Sequence, residues 1–376
     1  MIKVLLVIPT LDRSGAEKQF ALLATHLPRD EFEVHTVALT RGGPYEAVLR
    51  ERGIPLTVLN KRWRLDPRAL WDLRQLIFQL QPDILHTWLF AANAYGRQAA
   101  GRNGAPAVIV SERCVDSWKS GWQLTLDRRQ RARTTRLIGN SQGVADFYQE
   151  QGFAGDRIVV IPNGTSIPER IPFDRDAVLA EFDIPPGSQV VGSVGRLARQ
   201  KRGHDLIWAM QLLRQLRDRV YYLIVGDGPE KVELIKLAEH MGCDHLVRFA
   251  GHREDAEQLM ATMNVLWLGS DFEGMSNSVM EAMAAGLPVI ATDIPPNREL
   301  VVDGETGYLV RVGDSVGFAQ FSDRILADQE LAQRLGAAGR ERIRKQFSIV
   351  RMVDAHADLY RRVVAEQAES TTGDSA

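Results

Sequence analysis

Short apolar runs and longer amphipathic segments alternate along most of the chain. Residues 2–8 are almost entirely apolar, a pattern typical of a parallel strand that is buried on both faces. Asp66 and Pro67 combine a helix-capping residue with proline at the first helical position, and Leu73 and Ile77 continue at helical spacing. Repeated strand–helix–strand order predicts an α/β protein with parallel sheets covered by helices on both faces.

The alternation lapses once, in a stretch rich in proline and charge at residues 162–186, and then restarts. We therefore expect two Rossmann-like βαβ domains joined by a linker. The predicted divisions are an N-terminal domain at 1–170, a linker at 171–186, a C-terminal domain at 187–349, a last helix at 350–366 and a disordered polar tail at 367–376. Strands are predicted at 2–8, 33–39, 56–59, 84–87, 107–111, 137–140, 158–161, 189–194, 221–225, 246–250, 265–268, 287–290 and 307–310.

Composition and charge narrow the class of protein. The chain has 376 residues, which favours two domains, and two cysteines, which favour neither a disulfide framework nor a metal site. The N-terminal apolar run is too short for a signal peptide or a membrane helix, so a cytoplasmic location is expected. Residues 1–169 hold 22 Lys and Arg against 17 Asp and Glu, although the whole chain carries a net charge of −2. That excess indicates either an anionic partner or an ordinary solvated face, and nothing supports binding to nucleic acid.

The candidate chemistry is concentrated in residues 270–286, Ser-Asp-Phe-Glu-Gly-Met-Ser-Asn-Ser-Val-Met-Glu-Ala-Met-Ala-Ala-Gly. Glu273 lies in a polar loop that contains Gly274, and Glu281 lies inside a predicted helix. Ser276 is a good N-cap for that helix, and Gly286 ends it. A helix N-terminus flanked by two carboxylates suits a ligand that carries both an anion and hydroxyl groups.

Two further loops that follow predicted strands carry groups able to bind phosphate. Arg196 and Lys201 lie in one strand-to-helix loop, where a guanidinium and an ammonium can bind the two phosphates of a diphosphate. Gly15 opens the first helix and lets backbone amides approach an anion. The Gly-x-Gly-x-x-Gly fingerprint is absent, which argues against a nicotinamide-dependent dehydrogenase.

Three other residues are weaker candidates for contact with an acceptor or a sugar. His86 closes a predicted strand, which would place its imidazole at the rim of the site, although a lone histidine is more often structural. Glu112 and Arg113 follow the strand at 107–111 and are either substrate contacts or a surface ion pair.

Asp174 and Asp176 have the Asp-x-Asp spacing of some metal sites, but they lie in the linker, so we expect surface charge and no metal.

Several motifs, taken in order, resemble those of retaining GT-B glycosyltransferases of family 4, also called glycosyl transferases group 1. The resemblance covers residues 1–365. It rests on the following motifs: Ser14-Gly15-Ala16-Glu17, Asn140-Ser141, Ile161-Pro162-Asn163-Gly164, Gly195-Arg196 with Lys201, Gly226-Asp227-Gly228-Pro229, Val247 through Gly251, and Glu273 and Glu281 separated by seven residues within their flanking sequence.

The resemblance implies two Rossmann-like domains that face each other across a cleft, with the last helix crossing back to the N-terminal domain. It implies that Arg196, Lys201 and Gly15 bind the diphosphate of a UDP- or GDP-linked sugar, together with amides at Met275 and Ser276 beside Gly274. Glu273 would bind the transferred sugar, Glu281 the ribose, and His252 would border the base. The donor is a substrate, and neither a cofactor nor a metal is expected. This chain departs from the family at Glu112-Arg113-Cys114, where many relatives have a histidine beside the sugar.

The acceptor is expected to be a saccharide or a lipid-linked saccharide bound by the N-terminal domain. Residues 114–136, which contain Trp118 and Trp122, and the segment 61–64 combine aromatic with basic side chains, as a protein peripheral to an anionic membrane would. An amphipathic helix with a solvated basic face explains the same pattern. A nucleotide-sugar epimerase and a non-catalytic nucleotide-sugar-binding subunit remain as alternative functions.

Overall fold

The computed structural model describes residues 1–100, 106–115, 119–169 and 173–373. The chain divides into two compact units. The N-terminal unit comprises Met1–Gly164 and Ile349–Ala376, and the C-terminal unit comprises Thr165–Ser348. The first division therefore falls at residue 164, before the linker predicted at 171–186.

The N-terminal unit is built on a seven-stranded parallel sheet with the order β3-β2-β1-β4-β5-β6-β7. Apolar residues of these strands form cores on both faces of the sheet, as the nearly continuous apolar runs predict. Its strands are β1 Ile2–Thr10, β2 Phe32–Arg41, β3 Leu56–Val58, β4 Ile84–Trp88, β5 Ala107–Glu112, β6 Arg136–Gly139 and β7 Ile158–Val160. Its first six helices are α1 Gly15–His26, α2 Tyr45–Glu51, α3 Pro67–Leu80, α4 Leu89–Ala99, α5 Gly121–Gln130 and α6 Gln142–Glu150.

Helix α3 shows how local sequence sets an element. The Asp66 side chain accepts hydrogen bonds from the amides of Arg68 and Ala69 at 3.1 and 3.3 Å, and Pro67 occupies the first helical position. The helix ends at Gln81, which adopts a left-handed conformation with φ of 46°. The predicted start at Asp66 and Pro67 is confirmed.

The C-terminal unit has a six-stranded parallel sheet with the order β10-β9-β8-β11-β12-β13. Its strands are β8 Gln189–Val194, β9 Val220–Val225, β10 Val247–Gly251, β11 Val265–Leu268, β12 Val289–Thr292 and β13 Tyr308–Val310. Its helices are α7 Arg175–Ala180, α8 Gly203–Leu213, α9 Lys231–His240, α10 Ala256–Ala261, α11 Asn277–Ala285, α12 Pro295–Leu300, α13 Ser315–Ala327 and α14 Gln329–Gln346. The prediction of an α/β protein with two parallel sheets is confirmed.

The last helix, α15, spans Ile349–Gly373 and belongs to the N-terminal unit. Met352, Val353 and Tyr360 of this helix are buried in the same core as the strand residues of that unit. The helix continues through residues 367–373, where the sequence predicts a disordered tail, so that prediction is wrong for this part. Residues 374–376 of the predicted tail lie outside the described residues.

Candidate active site

The main candidate site lies where the strand order of the C-terminal sheet reverses. From β8 the chain moves outward through β9 to β10 and then returns to the other side of β8 with β11, which pairs with β8 at Val265 and Val191. The loops after β8 and β11 therefore leave the same edge of the sheet side by side. Open parallel sheets bind ligands at such a reversal.

Three glycines shape the backbone at this edge. Gly195, Gly226 and Gly251 follow or end β8, β9 and β10, with φ values of 149°, 141° and 70° that favour glycine. The Gly226 amide donates to the Gly251 carbonyl at 2.7 Å, and the Gly195 amide donates to the Val225 carbonyl at 2.9 Å. A Cβ atom at Gly226 would overlap the Gly195 carbonyl oxygen, so these loops depend on glycine for their close approach.

Lys201 and Glu273 meet between the two loops. The Lys201 Nζ atom lies 2.5 Å from Glu273 Oε1, and the Ser270 hydroxyl donates to the same oxygen at 2.7 Å. Glu273 is 8% exposed, and Lys201 is half-buried. The sequence predicts that both residues contact one ligand, and the structure places them in direct contact. Sequence reasoning missed Ser270 as the group that orients the carboxylate.

Backbone and side-chain bonds hold the two loops together. The Asp271 amide donates to the Gln200 carbonyl at 2.9 Å, and the Gln200 side chain donates to the Phe272 carbonyl at 2.6 Å. Arg202 donates to Asp205 and, at 3.0 Å, to Asp271; the Asp205 hydrogen bond above all holds the pKa of Arg202 above its usual value. These bonds therefore fix the positions of the two loops that carry Lys201 and Glu273.

Apart from Gly15, which belongs to the N-terminal unit, the other residues predicted to bind a donor follow strands of the C-terminal sheet or lie on α11. The Arg196 side chain is exposed, and its guanidinium makes no hydrogen bond or ion pair with the described residues. Ser276 is the N-cap of α11, and its hydroxyl accepts from the Val279 amide at 3.4 Å. Gly274 and Met275 lie just before this helix N-terminus, and both are buried.

Glu281 is half-buried and lies past the first turn of α11. His252 directly follows Gly251 at the end of β10.

The loop after β9 contains Asp227, but the N-cap of α9 is Glu230. The Asp227 carboxylate instead accepts from the Gly228 amide at 2.7 Å and from Lys231 at 3.3 Å, and the amide bond above all lowers the pKa of Asp227.

The aspartates of the Asp-x-Asp pair have local roles. Asp174 caps α7 by accepting from the Ala177 amide at 3.1 Å, and Asp176 pairs with Arg175 at 3.6 Å. The expectation of surface charge agrees with these contacts. The described residues contain no cluster of three His, Cys, Asp or Glu side chains able to hold a metal ion.

In the N-terminal unit, Gly15 is the exposed first residue of α1. The residues around it are held by Glu17, whose buried carboxylate accepts from the Ser14 hydroxyl and, at 3.1 Å, from the Thr10 hydroxyl. These hydrogen bonds to Glu17 therefore fix the conformation of the loop between β1 and α1. Glu17 thus has a local structural role beside Gly15.

The prediction that His86 lies at the rim of a site is wrong. Its ring is completely buried between the Tyr360 hydroxyl of α15 at 2.6 Å and the Ser111 hydroxyl at 2.8 Å. Burial, together with the neighbouring charges of His356 and Arg113, holds the pKa of His86 well below its usual value. His86 is a neutral core residue because α15 covers the end of β4.

Glu112 and Arg113 do not form a surface ion pair either. Both are buried. Glu112 accepts from Asn93 at 2.9 Å and lies 3.5 Å from Lys119. Arg113 donates to Asn163, lies over the Trp88 ring at 4.5 Å, and has its pKa lowered to about 9 by burial.

Two family models match most of the chain. The family model described as Glycosyltransferase Family 4 matches residues 13–167, and the model described as Glycosyl transferases group 1 matches residues 174–342. The chain is 34% identical over 226 residues to the lipopolysaccharide core biosynthesis glycosyltransferase LpsE of Rhizobium meliloti, which covers 60% of this chain and 64% of LpsE. It is 27% identical over 365 residues to LpsD of the same organism, which covers 94% of this chain and 96% of LpsD.

Solved structures share the fold. HepE of Anabaena in complex with UDP and glucose superposes with a TM-score of 0.86 at 23% identity, covering 96% of this chain and 100% of HepE. The same protein in complex with UDP-glucose gives a TM-score of 0.83 and covers 98% of this chain. With two parallel Rossmann-like units of the GT-B fold and family models that match both, the chain belongs to the family 4 glycosyltransferases, the glycosyl transferases group 1.

Proposed function

We propose that this protein is a retaining glycosyltransferase that moves a sugar from a UDP- or GDP-linked donor to a saccharide or lipid-linked saccharide. The contact between Lys201 and Glu273 carries the proposal, because it places a cation for phosphate and a carboxylate for sugar hydroxyls in one braced site at the sheet reversal. Complexes of HepE with UDP and UDP-glucose support a nucleotide-sugar donor. Relatives named for lipopolysaccharide core synthesis support a saccharide acceptor.

The leaving nucleoside diphosphate determines what the protein must supply. When the bond between the anomeric carbon and the phosphate oxygen breaks, its electron pair stays on that oxygen, and negative charge accumulates there. Arg196 and Lys201, together with the α11 N-terminus, would stabilise this charge, and fixed positive charge at such a position is a large catalytic contribution. Arg196 is suited to this role since its guanidinium is exposed and forms no ion pair with the described residues.

The acceptor completes the reaction on the same face of the sugar. Its hydroxyl oxygen would form the new bond to the anomeric carbon while its proton passes to the departing phosphate oxygen, so the configuration is retained and no protein nucleophile is required. Glu273, held by Ser270, would orient the sugar hydroxyls, and Glu281 would bind the ribose. His252, after β10, would border the base. Because protein cations meet the diphosphate, we propose that no metal ion is required.

A donor panel tests this function. UDP-, GDP- and ADP-linked sugars are incubated with the protein in EDTA, with and without saccharide acceptors, and the product is analysed by NMR. We expect UDP or GDP release, and a glycoside with the anomeric configuration of the donor. An inverted product, or activity that appears only when a divalent metal is added, would contradict the corresponding part of the proposal.

An epimerase is not favoured. Epimerisation requires acid and base side chains that reach the sugar. The two candidates from the sequence, His86 and Glu112, are buried and hydrogen-bonded to other protein groups. In the donor panel an epimerase would release an epimerised nucleotide sugar in place of free nucleotide. A non-catalytic binding subunit would release neither product.

We also propose that the enzyme works as a peripheral protein on the inner face of a membrane. None of the described helices has the length and apolar character needed to span a bilayer. The surface of α3 instead exposes Trp71 and Phe78, and the preceding loop exposes Trp63 and Leu65. Trp122 of α5 lies under the Arg64 guanidinium at 4.6 Å, whereas Trp118 lies outside the described residues. Aromatic and basic side chains of this kind suit an anionic interface.

Flotation with vesicles tests membrane contact. The protein is expected to float with phosphatidylglycerol-containing vesicles at low salt and not with vesicles of phosphatidylcholine alone. The double variant Trp71→Ser and Phe78→Ser should lose flotation, whereas Trp208→Ser, at an exposed tryptophan of the C-terminal unit, should retain it. If the wild-type protein stays unbound at low salt, the membrane proposal is wrong.

A further inference from the structure

The N-terminal unit buries a guanidinium that has no counter-charge among the described residues. Arg113 follows β5 and is 9% exposed. Its Nη2 atom donates to the uncharged side chain of Asn163, and its guanidinium packs over the Trp88 ring at 4.5 Å. Its Nε and Nη1 atoms are buried and have no hydrogen-bond partner among the described residues.

Other buried cations of the same unit are compensated. Arg97 donates to the Asp127 carboxylate at 2.7 Å and to Thr134 at 2.9 Å. Lys119 lies 3.2 Å from Asp127 and 3.5 Å from Glu112. Glu112 is next to Arg113 in the sequence, but it pairs with Lys119, since consecutive residues of an extended chain point to opposite sides. In the part of the chain that the structure describes, Arg113 is therefore left without a carboxylate partner.

Isolated buried charge is unfavourable, and its presence calls for an explanation. Burial lowers the pKa of Arg113 to about 9, so the group stays protonated at neutral pH. The neighbouring rings do not compensate it: burial holds the pKa of His86 and that of His356 well below the usual value, and the charge of Arg113 adds to the effect. The described side chains that contact the Arg113 guanidinium, Asn163 and Trp88, are thus neutral.

The position of Arg113 is one where parallel sheets bind ligands. Trp88, Arg113, Asn140 and Asn163 end or follow the adjacent strands β4, β5, β6 and β7, at the carboxyl edge of the sheet. The side-chain Nδ2 atom of Asn140 donates to the Arg113 carbonyl at 3.3 Å. The Oδ1 atom of the same side chain is buried and has no hydrogen-bond partner in the described part of the chain. Donors for an anion and an acceptor for a hydroxyl therefore lie at one place.

We propose that Arg113 binds an anionic group, a carboxylate or a phosphate, on the acceptor saccharide, with Asn140 accepting from a neighbouring hydroxyl. This inference rests on the proposed transferase function and specifies its acceptor. The residues assigned to the donor, Arg196, Lys201 and Glu273, all belong to the C-terminal unit, whereas Arg113 belongs to the N-terminal unit. The missing counter-charge is thus supplied by the substrate.

Thermal unfolding with sugar probes tests the proposal on the whole chain. Glucuronate carries a carboxylate, glucose 6-phosphate a phosphate, and glucose neither. We expect one or both anionic sugars, but not glucose, to raise the Tm of the wild-type protein. The anion that does so identifies the class of acceptor. Equal shifts with all three sugars, or no shift with any, would overturn the proposal.

Variants separate a binding role from a structural one. Arg113→Met should abolish the shift by anionic sugars and leave the unliganded Tm unchanged or higher, because it removes an uncompensated charge. The matched variant Arg97→Met removes a paired arginine and should lower the Tm. A loss of stability in Arg113→Met as large as that in Arg97→Met, or an anion-induced shift that persists in it, would contradict the assignment.

A donor control keeps this test independent of the proposed function. UDP and GDP should stabilise the wild-type protein and Arg113→Met equally, since Arg196, Lys201 and Glu273 lie in the other unit and are unchanged in the variant. Absence of nucleotide binding in both proteins would count against the transferase, whatever the anionic sugars do. If Arg113→Met binds UDP-glucuronate more weakly than wild type but UDP-glucose equally well, the anion belongs to the donor and not to the acceptor.

Discussion

Replacing Lys201 with alanine separates the catalytic role that we propose for the Lys201–Glu273 pair from a structural role of the same pair. The lysine ammonium lies 2.5 Å from Glu273 Oε1, and the side chains of the pair are 26% and 11% exposed. The loop around it is held by other bonds, including the Asp271 amide to the Gln200 carbonyl. A partly exposed pair contributes about 0–1 kcal/mol to stability, so Lys201→Ala should change the free energy of unfolding by at most about 1 kcal/mol.

The effect on turnover should be much larger. If Lys201 meets the departing diphosphate in a shielded site, its loss resembles removal of one donor to a developing anion, which lowers kcat by about 100- to 1000-fold. At 1.36 kcal/mol per tenfold, that corresponds to about 2.7–4 kcal/mol of transition-state stabilisation. The effect on kcat should exceed the effect on KM, since the charge is greatest in the transition state.

The assay is release of UDP or GDP in the presence of acceptor, together with urea unfolding of each variant. Lys345→Ala is the matched control, because Lys345 also pairs with a glutamate of the C-terminal unit but is 64% exposed. It should leave both activity and stability unchanged. If Glu273 and Lys201 act on one ligand, the double variant with Glu273→Ala should lose less than the sum of the single losses. Turnover of Lys201→Ala within threefold of wild type would refute the assignment to the diphosphate.

Three further variants test the structure itself. Gly226 has a φ of 141°, and a Cβ atom there would overlap the Gly195 carbonyl. Gly226→Ala should therefore destabilise the protein by about 2–4 kcal/mol and weaken nucleotide binding. A variant as stable as the wild-type protein would show that alanine is accommodated without strain. Asp127→Asn weakens two buried ion pairs and should cost about 3–5 kcal/mol in urea unfolding, and a loss below about 1 kcal/mol would show that the charge is dispensable. Burial lowers the pKa of both His86 and His356, to about 3 for His356, so both rings are neutral in the folded state. In the unfolded chain both rings take up a proton below pH of about 6.5. The free energy of unfolding should therefore be largest above that pH and fall below it by ~2.7 kcal/mol per pH unit. His356→Leu should halve that slope, and an unchanged slope would contradict the reasoning.

Local patterns account for much of the fold. Apolar runs mark the buried strands, and the Asp66-Pro67 start of α3 follows from capping chemistry that acts within a few residues. Polar residues directly after strands also identify Arg196, Lys201 and Glu273 as candidates, because ligands of parallel sheets bind at the carboxyl ends of strands. The strand and helix predictions succeed because each depends on neighbours in the sequence, whereas ligand binding by Arg196, Lys201 and Glu273 stays a prediction.

Other features depend on contacts between distant parts of the chain. Lys201 and Glu273 are 72 residues apart, and they meet because β11 returns to the side of β8. His86 is buried because Tyr360, 274 residues later, reaches it from α15. The polar composition of residues 367–376 predicts disorder, although α15 continues to Gly373.

The sequence by itself thus determined the two parallel-sheet domains, the family, and the loops that carry the candidate site, because strand ends and loop motifs are local. Only the tertiary structure decided which charged residues are paired. Glu112 pairs with Lys119, whereas its neighbour Arg113 has no carboxylate partner within the described ranges, a difference that depends on which elements pack on each face of β5. Pairing of buried charges is a property of three-dimensional packing, which one sequence does not record.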